Sequence, residues 1–497
     1  MMMNDVHHLI GGEEVKSSSG RSQAIYNPAT GHQTGSVALA SVDEVDAAVA
    51  NAATAFEHWK TTSLAARTKL MFAYRQVVVD NASEVASRLT AEHGKVHSDA
   101  LGEVSRGIEN IEFACGLPEL LKGEFSSRAS SGVDVTTIRQ PLGVVAGITP
   151  FNFPAMVPLW MIPNAIAAGN TFILKPSEKD PSAPMFLAEL LLEAGFPPGV
   201  LNVVNGDKVA VDRLLTHPDV EAVSFVGSTP IARYVYETGT SAGKRIQALG
   251  GAKNHMIVLP DADLELAADA AVSAAYGSAG ERCMAVSVVA AVGDIADPLV
   301  DAIEARLAKL KVGPGDQADS EMGPLITAEH RDRVADYVRA GAESGARVVV
   351  DGRDQQFDGD GFFLGVSLLD KVDPEMSVYA DEVFGPVLSV VRLDSYDEAL
   401  KLISDNPWGN GAAIFTRDGG AARQFQEEVQ AGMVGINVPI PVPVGYHSFG
   451  GWKASLFGDT HMYGPEGMRF FTQAKVITSR WPDPASSTVD LGFPTNT

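Results

Sequence analysis

The 497-residue chain holds only two cysteines, Cys115 and Cys283. That is too few for a disulfide framework, so a reducing interior is its expected setting. No run of about 18 consecutive apolar residues occurs, which excludes a transmembrane helix. The apolar stretch AMVPLWMIPNAIAAG is broken by prolines, by Asn164 and by a glycine, and reads as buried protein. Positive charge is scarce: 38 Lys and Arg stand against 62 Asp and Glu, a formal charge of -24. Nucleic acid and anionic membranes would be repelled, so neither is expected as a partner. The amino end, MMMNDVHHLIGGEEV, lacks both a basic-then-apolar signal and the Arg-rich character of a transit peptide, and a cytoplasmic location is the expectation. The usual dinucleotide fingerprint, G-x-G-x-x-G, does not follow the early strands.

What is present is a long alternation of short apolar runs with helical stretches. The length predicts two or three domains. Residues 41–122 are helical in spacing and open on SVDE, a capping box of Ser41 and Glu44. From 143 to 260, GVVAGITP, NTFILKPS, GVLNVVNG and AVSFVGS alternate with helices near 155–168, 181–195, 207–216 and 229–241. Right-handed crossovers then give a parallel, doubly wound sheet. From 256 to 436 the pattern recurs, with MIVLP, a helix at 264–279, VSVVAAV, a helix at 296–310, ARVVV and PVLSVVRL, which predicts a second α/β domain. A hairpin is expected in SSRASSGVDVTTIRQP, and a strand in FFTQAKVITSRW.

Four stretches carry candidate chemistry. FVGSTPIA runs from a strand through Gly227 and Ser228 into a helix; it reads either as a plain turn or as a phosphate site. ILKPSEKDP puts Lys175 and Glu178 at a strand's end, suited to a ribose diol or to a solvated turn. TPFNFP holds Asn152 among aromatics and prolines, as a turn-stabilising amide or an oxyanion donor. GSAGERCMAVS places Cys283 after Arg282, as a buried small residue or as a thiol whose pKa the arginine lowers. Cys115, in IENIEFACGLPELL, reads as core.

Asn152 in PFNFP, Lys175 and Glu178 in KPSE, Gly227 in FVGS, Cys283 in GERC, and Glu382 with Phe384 in DEVFGP keep one order and spacing. In these the chain resembles the aldehyde dehydrogenase superfamily, from NPATG to the terminal strand. The resemblance implies two doubly wound parallel-sheet domains plus a small β oligomerisation flap. The NAD-binding domain would comprise 1–123 and 143–252, the catalytic domain 253–462, and the flap 124–142 with 463–497. It implies Cys283 as nucleophile and Asn152 as oxyanion donor. Phe151, Lys175, Glu178, Lys179, Gly227, Ser228, Gly250, Glu382 and Phe384 would bind the cofactor. A carboxylate at Glu178 favours NAD over NADP, no metal is expected, and the flap implies a homodimer or homotetramer.

The family's general base lies in E-L-G-G-K, but here the segment reads ALGGAKN, with Ala248 taken as the glutamate position and Ala252 as the lysine position. Without that base, a thiol such as coenzyme A is the expected acyl acceptor. GERCMAVS, FVGSTPIARYVYETG and QALGGAKNHMIVLPDADLE resemble the CoA-acylating methylmalonate-semialdehyde dehydrogenase subgroup. That implies Arg282 and Arg106 as binders of a substrate carboxylate, later released as CO2. The expected reaction is NAD-dependent oxidation of malonate or methylmalonate semialdehyde to acetyl-CoA or propionyl-CoA. Two rivals remain: a hydrolytic semialdehyde dehydrogenase giving a free acid, and a catalytically silent relative.

Overall fold

The computed structural model describes residues 4–481, 485 and 489, so most of the final stretch of the expected flap, beyond Trp481, lies outside the described residues. Two parallel sheets with helices on both faces make up the bulk. The first is built on β1 (Val144–Ile148), β2 (Thr171–Lys175), β3 (Leu201–Val203), β4 (Val220–Val226) and β5 (Arg245–Leu249). Their spatial order is β5-β4-β1-β2-β3, all parallel, so the chain reverses direction of addition beside β1. Antiparallel edges close it: Leu456–Phe457 beside β5, and His8–Ile10 with Glu13–Val15 beyond β3. β1 and β2 are buried throughout, as parallel strands covered on both faces must be.

The second sheet contains β6 (Asn254–Val258), β7 (Val286–Val292), β8 (Ser367–Asp370), β9 (Val387–Leu393), β10 (Gly411–Phe415) and β11 (Met433–Ile436). They run in the order β8-β9-β7-β6-β10-β11, with Arg347–Val350 antiparallel at the β8 edge. A third, antiparallel sheet joins the hairpin Glu124–Ser130 and Val133–Pro141 to the terminal strand Thr472–Arg480.

Four helices matter for the site: α1 (His97–Cys115), α2 (Met156–Ala167), α3 (Thr229–Ser241) and α4 (Leu264–Tyr276). α2 is buried on all sides and carries Pro163 in its interior, which explains why its sequence is apolar without a stripe. The capping box forms: Ser41 accepts from the Glu44 amide and Glu44 accepts from the Ser41 amide. One helix ends earlier than its spacing predicts. Periodicity extends to 279, yet α4 stops at Tyr276, and Ser278, Ala279 and Gly280 take left-handed φ values of 52°, 53° and 72°. Gly280 has to be glycine, because a Cβ there would lie 2.2 Å from the carbonyl oxygen of Gly385. This left-handed turn aims the chain at Glu281–Cys283.

Candidate active site

In an open parallel sheet, ligands gather at the strands' carboxyl ends, next to the point where strand order reverses. That edge of the first sheet carries the expected residues. The PFNFP turn leaves β1, Lys175 closes β2, and Gly227 and Ser228 follow β4. Gly250–Lys253 then leads from β5 to the amino end of β6. The second sheet meets this edge with its strands' amino ends: Cys283 lies just before β7 and Glu382–Phe384 just before β9. The cleft between them is lined by Cys283, Arg282, Glu382, Phe384, Ala252 and Asn254, among others.

Cys283 is half-buried, and its backbone carbonyl is held from two sides, by the side-chain amides of Asn254 at 2.9 Å and Asn410 at 3.1 Å. Sequence reasoning missed both asparagines; only their polarity at a strand's start signals them. Burial, and next the charge of Glu382, push the thiol up to about 12, against the weaker pulls of the Cys283 and Met284 backbone amides and of Arg282. Arg282 does pull the thiol pKa down, as expected, but as the weakest of these influences, outweighed by burial and Glu382. Its guanidinium is also paired, Nη2 donating to Asp99 Oδ1 at 2.6 Å.

Asn152 is buried, and its carbonyl accepts from Lys95 Nζ at 2.7 Å, while Lys95 is ion-paired with Glu103 at 2.5 Å. Glu103 also accepts from the Ala155 and Met156 amides at 2.8 and 3.0 Å, fixing the start of α2. The Asn152 side-chain amide donates to no described residue. A free amide donor here is the arrangement an oxyanion would complete. Phe151 packs edge-on to Phe384 at 5.9 Å, with Lys179 Nζ 4.5 Å above its ring. Phe384 itself holds a left-handed φ of 56°, backbone strain of the kind that clusters at functional sites.

Glu382 is tied to the β5–β6 connection. Its Oε1 accepts from the Ala252 amide at 2.9 Å, and a Cβ on Gly251 would lie 2.2 Å from Oε2. Burial raises its carboxyl to about 7, against the pull of the Ala252 amide, Lys253 and Arg333. Gly250 is needed for close backbone approach, because a Cβ would meet the Ala454 carbonyl at 2.8 Å. Thr229 Oγ1 accepts from the Gly251 amide and from Trp408 Nε1, both at 2.9 Å, locking the loop to α3. Ser228 caps α3 without its side chain bonding any helix amide, so the hydroxyl and the helix amino end remain available to an anion. Lys175 Nζ bonds Glu178 Oε2 at 3.0 Å; burial works against ionisation of Glu178, but Lys175, the Glu178 backbone amide and Lys179 together hold the carboxyl below its usual range.

Strand alternation changes one assignment. Ala248 packs into the cluster with Ala146, Ile148 and Phe225, on one face of the first sheet. Leu249 belongs to the cluster on the other face, against which Cys283 and Phe153 pack. The sequence put Ala248 at the position of the family's glutamate; the β5 side chain on the face shared with Cys283 is Leu249. Lys253, not Ala252, is the lysine of the segment, donating to the Val378 and Asp381 carbonyls at 2.8 and 2.7 Å. Neither Ala248 nor Leu249 can carry a proton.

The two arginines are both engaged. Arg106, on α1, bonds Glu109 at 2.8 Å and the carbonyls of Val442 and Pro443 at 3.3 and 2.6 Å. The Pro443 carbonyl is shared with the Tyr463 hydroxyl at 2.7 Å. A buried group of His93, Glu281 and His330, with separations of 3.6 and 3.4 Å to the carboxylate, lies beside Phe151 and was not signalled by the sequence. Burial pushes Glu281 up to about 8 and His330 down to about 4.

The model of the aldehyde dehydrogenase family matches residues 15–477. A malonate-semialdehyde dehydrogenase of Pseudomonas aeruginosa is 55% identical over 487 residues, covering 97% of this chain and 98% of the relative. One of Geobacillus kaustophilus is 49% identical over 475 residues, covering 95% and 98%. Among solved structures, a protein of Sinorhizobium meliloti assigned as methylmalonate-semialdehyde dehydrogenase and complexed with NAD superposes with a TM-score of 0.97, at 53% identity, covering 98% of this chain and all of that one (100%). The methylmalonate-semialdehyde dehydrogenase of Oceanimonas doudoroffii gives 0.96 at 53% identity, covering 97% and 99%. The chain belongs to the aldehyde dehydrogenase family.

Proposed function

We propose that this aldehyde dehydrogenase oxidises malonate or methylmalonate semialdehyde with NAD, loses CO2, and passes the acetyl or propionyl group to coenzyme A. The observation that carries the choice of acceptor is Leu249: the face of β5 turned to the Cys283 cluster offers no proton acceptor to activate water.

In this reading Cys283 gives up its thiol proton to solvent and the thiolate sulfur attacks the aldehyde carbon. The oxyanion so formed accepts from the Asn152 side-chain amide and from the Cys283 backbone amide. NAD supplies a hydride acceptor when bound. Cys283 then carries a thioester, with the substrate carboxylate β to its carbonyl. The bond to that carboxylate breaks, its electron pair moving into the carbonyl held by Asn152, and CO2 departs. Protonation of the resulting enolate gives acetyl or propionyl on Cys283. Coenzyme A thiolate attacks that carbonyl and the Cys283 thiolate leaves.

The residues fit NAD. An ionised Glu178 accepts from a ribose diol and repels the extra phosphate of NADP, with Lys175 beside it. Gly227, Gly250 and the unengaged Ser228 hydroxyl suit the diphosphate, with Lys179 and Phe151 alongside. Glu382 and Phe384 suit the second ribose. Arg282 and Arg106 would take the substrate carboxylate.

Glu382 favours a second reading. A carboxyl raised to about 7 in the cleft with Cys283 could itself activate water, giving a free acid. Following NADH from malonate semialdehyde with and without coenzyme A separates the two. Sustained turnover should require coenzyme A, and a rate indifferent to it overturns the reading.

The exposed Phe125 and Val476 on the three-stranded sheet support subunit pairing there, as a homodimer or homotetramer. Sedimentation at equilibrium would decide between them. A cytoplasmic setting fits a chain in which no described helix is long and apolar enough to cross a membrane.

A further inference from the structure

α1 presents three charged residues at the spacing of one helix face: Asp99, Glu103 and Arg106, four and three residues apart. Glu103 fixes the start of α2 just after Asn152. Arg106 reaches the 442–443 carbonyls. Asp99, in the first turn, reaches 183 residues along the chain to Arg282. One helix therefore carries one of the proposed carboxylate-binding arginines and the partner of the other.

The Asp99–Arg282 pair is single-pronged. Only Arg282 Nη2 donates, to Asp99 Oδ1 at 2.6 Å. Asp99 Oδ2 is buried and has no partner among the described residues. Arg282 Nη1 and Nε donate to no described residue, although a guanidinium can serve two carboxylates at once. The guanidinium lies against the backbone of Gly277: a Cβ there would stand 2.4 Å from Nη1 and 2.6 Å from Cζ. Glycine at 277 is thus the platform on which Arg282 rests, and the left-handed turn that follows holds that platform beneath it.

We propose that Asp99 is a positioning and specificity-determining residue: it holds Arg282 by one prong, presents the remaining donors to the substrate carboxylate, and takes the guanidinium back when that carboxylate departs. This rests on the carboxylate-binding role given to Arg282 under the proposed function. An unopposed arginine in a half-buried site would grip the substrate carboxylate and resist its conversion to neutral CO2. A carboxylate already on the guanidinium weakens that grip, and the unsatisfied Oδ2 of Asp99 is an acceptor waiting for the donors that the substrate releases.

The test uses the full-length enzyme, the variant Asp99→Asn, and malonate as an inhibitor of propanal oxidation. Asparagine keeps an acceptor for Nη2 but removes the charge. Malonate should then bind about tenfold more tightly, the scale of one charge in a partly buried site. For malonate semialdehyde relative to propanal, KM and kcat should fall together. Asp99→Glu should restore the wild-type ratios in part. Gly277→Ala, which displaces the guanidinium and leaves Asp99 intact, should shift malonate binding the other way. An unchanged malonate inhibition constant in Asp99→Asn, or equal changes for both aldehydes, overturns the proposal. Malonate inhibition of propanal oxidation involves neither coenzyme A nor decarboxylation. A wild-type rate indifferent to coenzyme A therefore defeats the proposed function alone, and an unmoved inhibition constant defeats this inference alone.

Discussion

The half-buried carboxylate of Glu382 and the thiol of Cys283 line one cleft, and the carboxylate opposes ionisation of the thiol. Burial is the larger cause, and together they hold Cys283 as a protonated thiol in the free enzyme. Attack by this sulfur therefore requires the thiol to lose its proton.

Alkylation by iodoacetamide reads this directly. The thiol is protonated below its pKa of about 12, so the thiolate fraction falls tenfold for each unit below it. The rate at Cys283 in the free enzyme should rise about tenfold per pH unit from about pH 7 to 10, without a plateau. A plateau below about pH 8 would mean a low-pKa thiolate and an effective Arg282.

An ionised Glu382 accepts from ribose hydroxyls more strongly than its protonated form, because a carboxylate offers two charged acceptor oxygens. Its carboxyl is raised to about 7, so it becomes protonated, and that acceptance weakens, as pH falls through 7. The dissociation constant of NAD should climb by up to about tenfold per pH unit on the acid side, and Glu382→Gln should flatten the profile. Equal pH dependence in wild type and variant would remove Glu382 from cofactor binding.

Asn152→Ala removes the donor assigned to the oxyanion. The expected loss is about 100- to 1000-fold in kcat with NAD binding intact. A loss confined to NAD affinity would reassign Asn152.

Arg106→Leu should depress kcat/KM for malonate semialdehyde by about 100-fold and for propanal far less, as expected for a charge-assisted contact to carboxylate. Equal losses on both aldehydes would discredit the carboxylate role.

Much of this was legible in the sequence because it is local. Short apolar runs set the parallel strands, and helix spacing placed α2 and α3 within a residue of their observed ends. Gly227, Cys283 and Glu382 stand at strand boundaries, where the alternation of elements already points to a ligand edge. What escaped depends on distance or on direction. Arg282 does pull on Cys283, but the burial and the Glu382 charge that outweigh it, and its own partner Asp99, come from other elements. Ala248 and Leu249 are neighbours on β5, and only the packed sheet tells which of two alternating side chains shares a cluster with Cys283. α4 stops at Tyr276 because the turn after it must pass the Gly385 carbonyl, a contact that no local propensity encodes.

The most direct measurement of the central claim counts products. Methylmalonate semialdehyde, NAD and coenzyme A are supplied to the enzyme, and NADH, propionyl-CoA, CO2 and free acids are quantified in one reaction. Propionyl-CoA and CO2 should form in amounts equal to NADH. Methylmalonate or propionate equal to NADH, with coenzyme A unconsumed, would contradict the account.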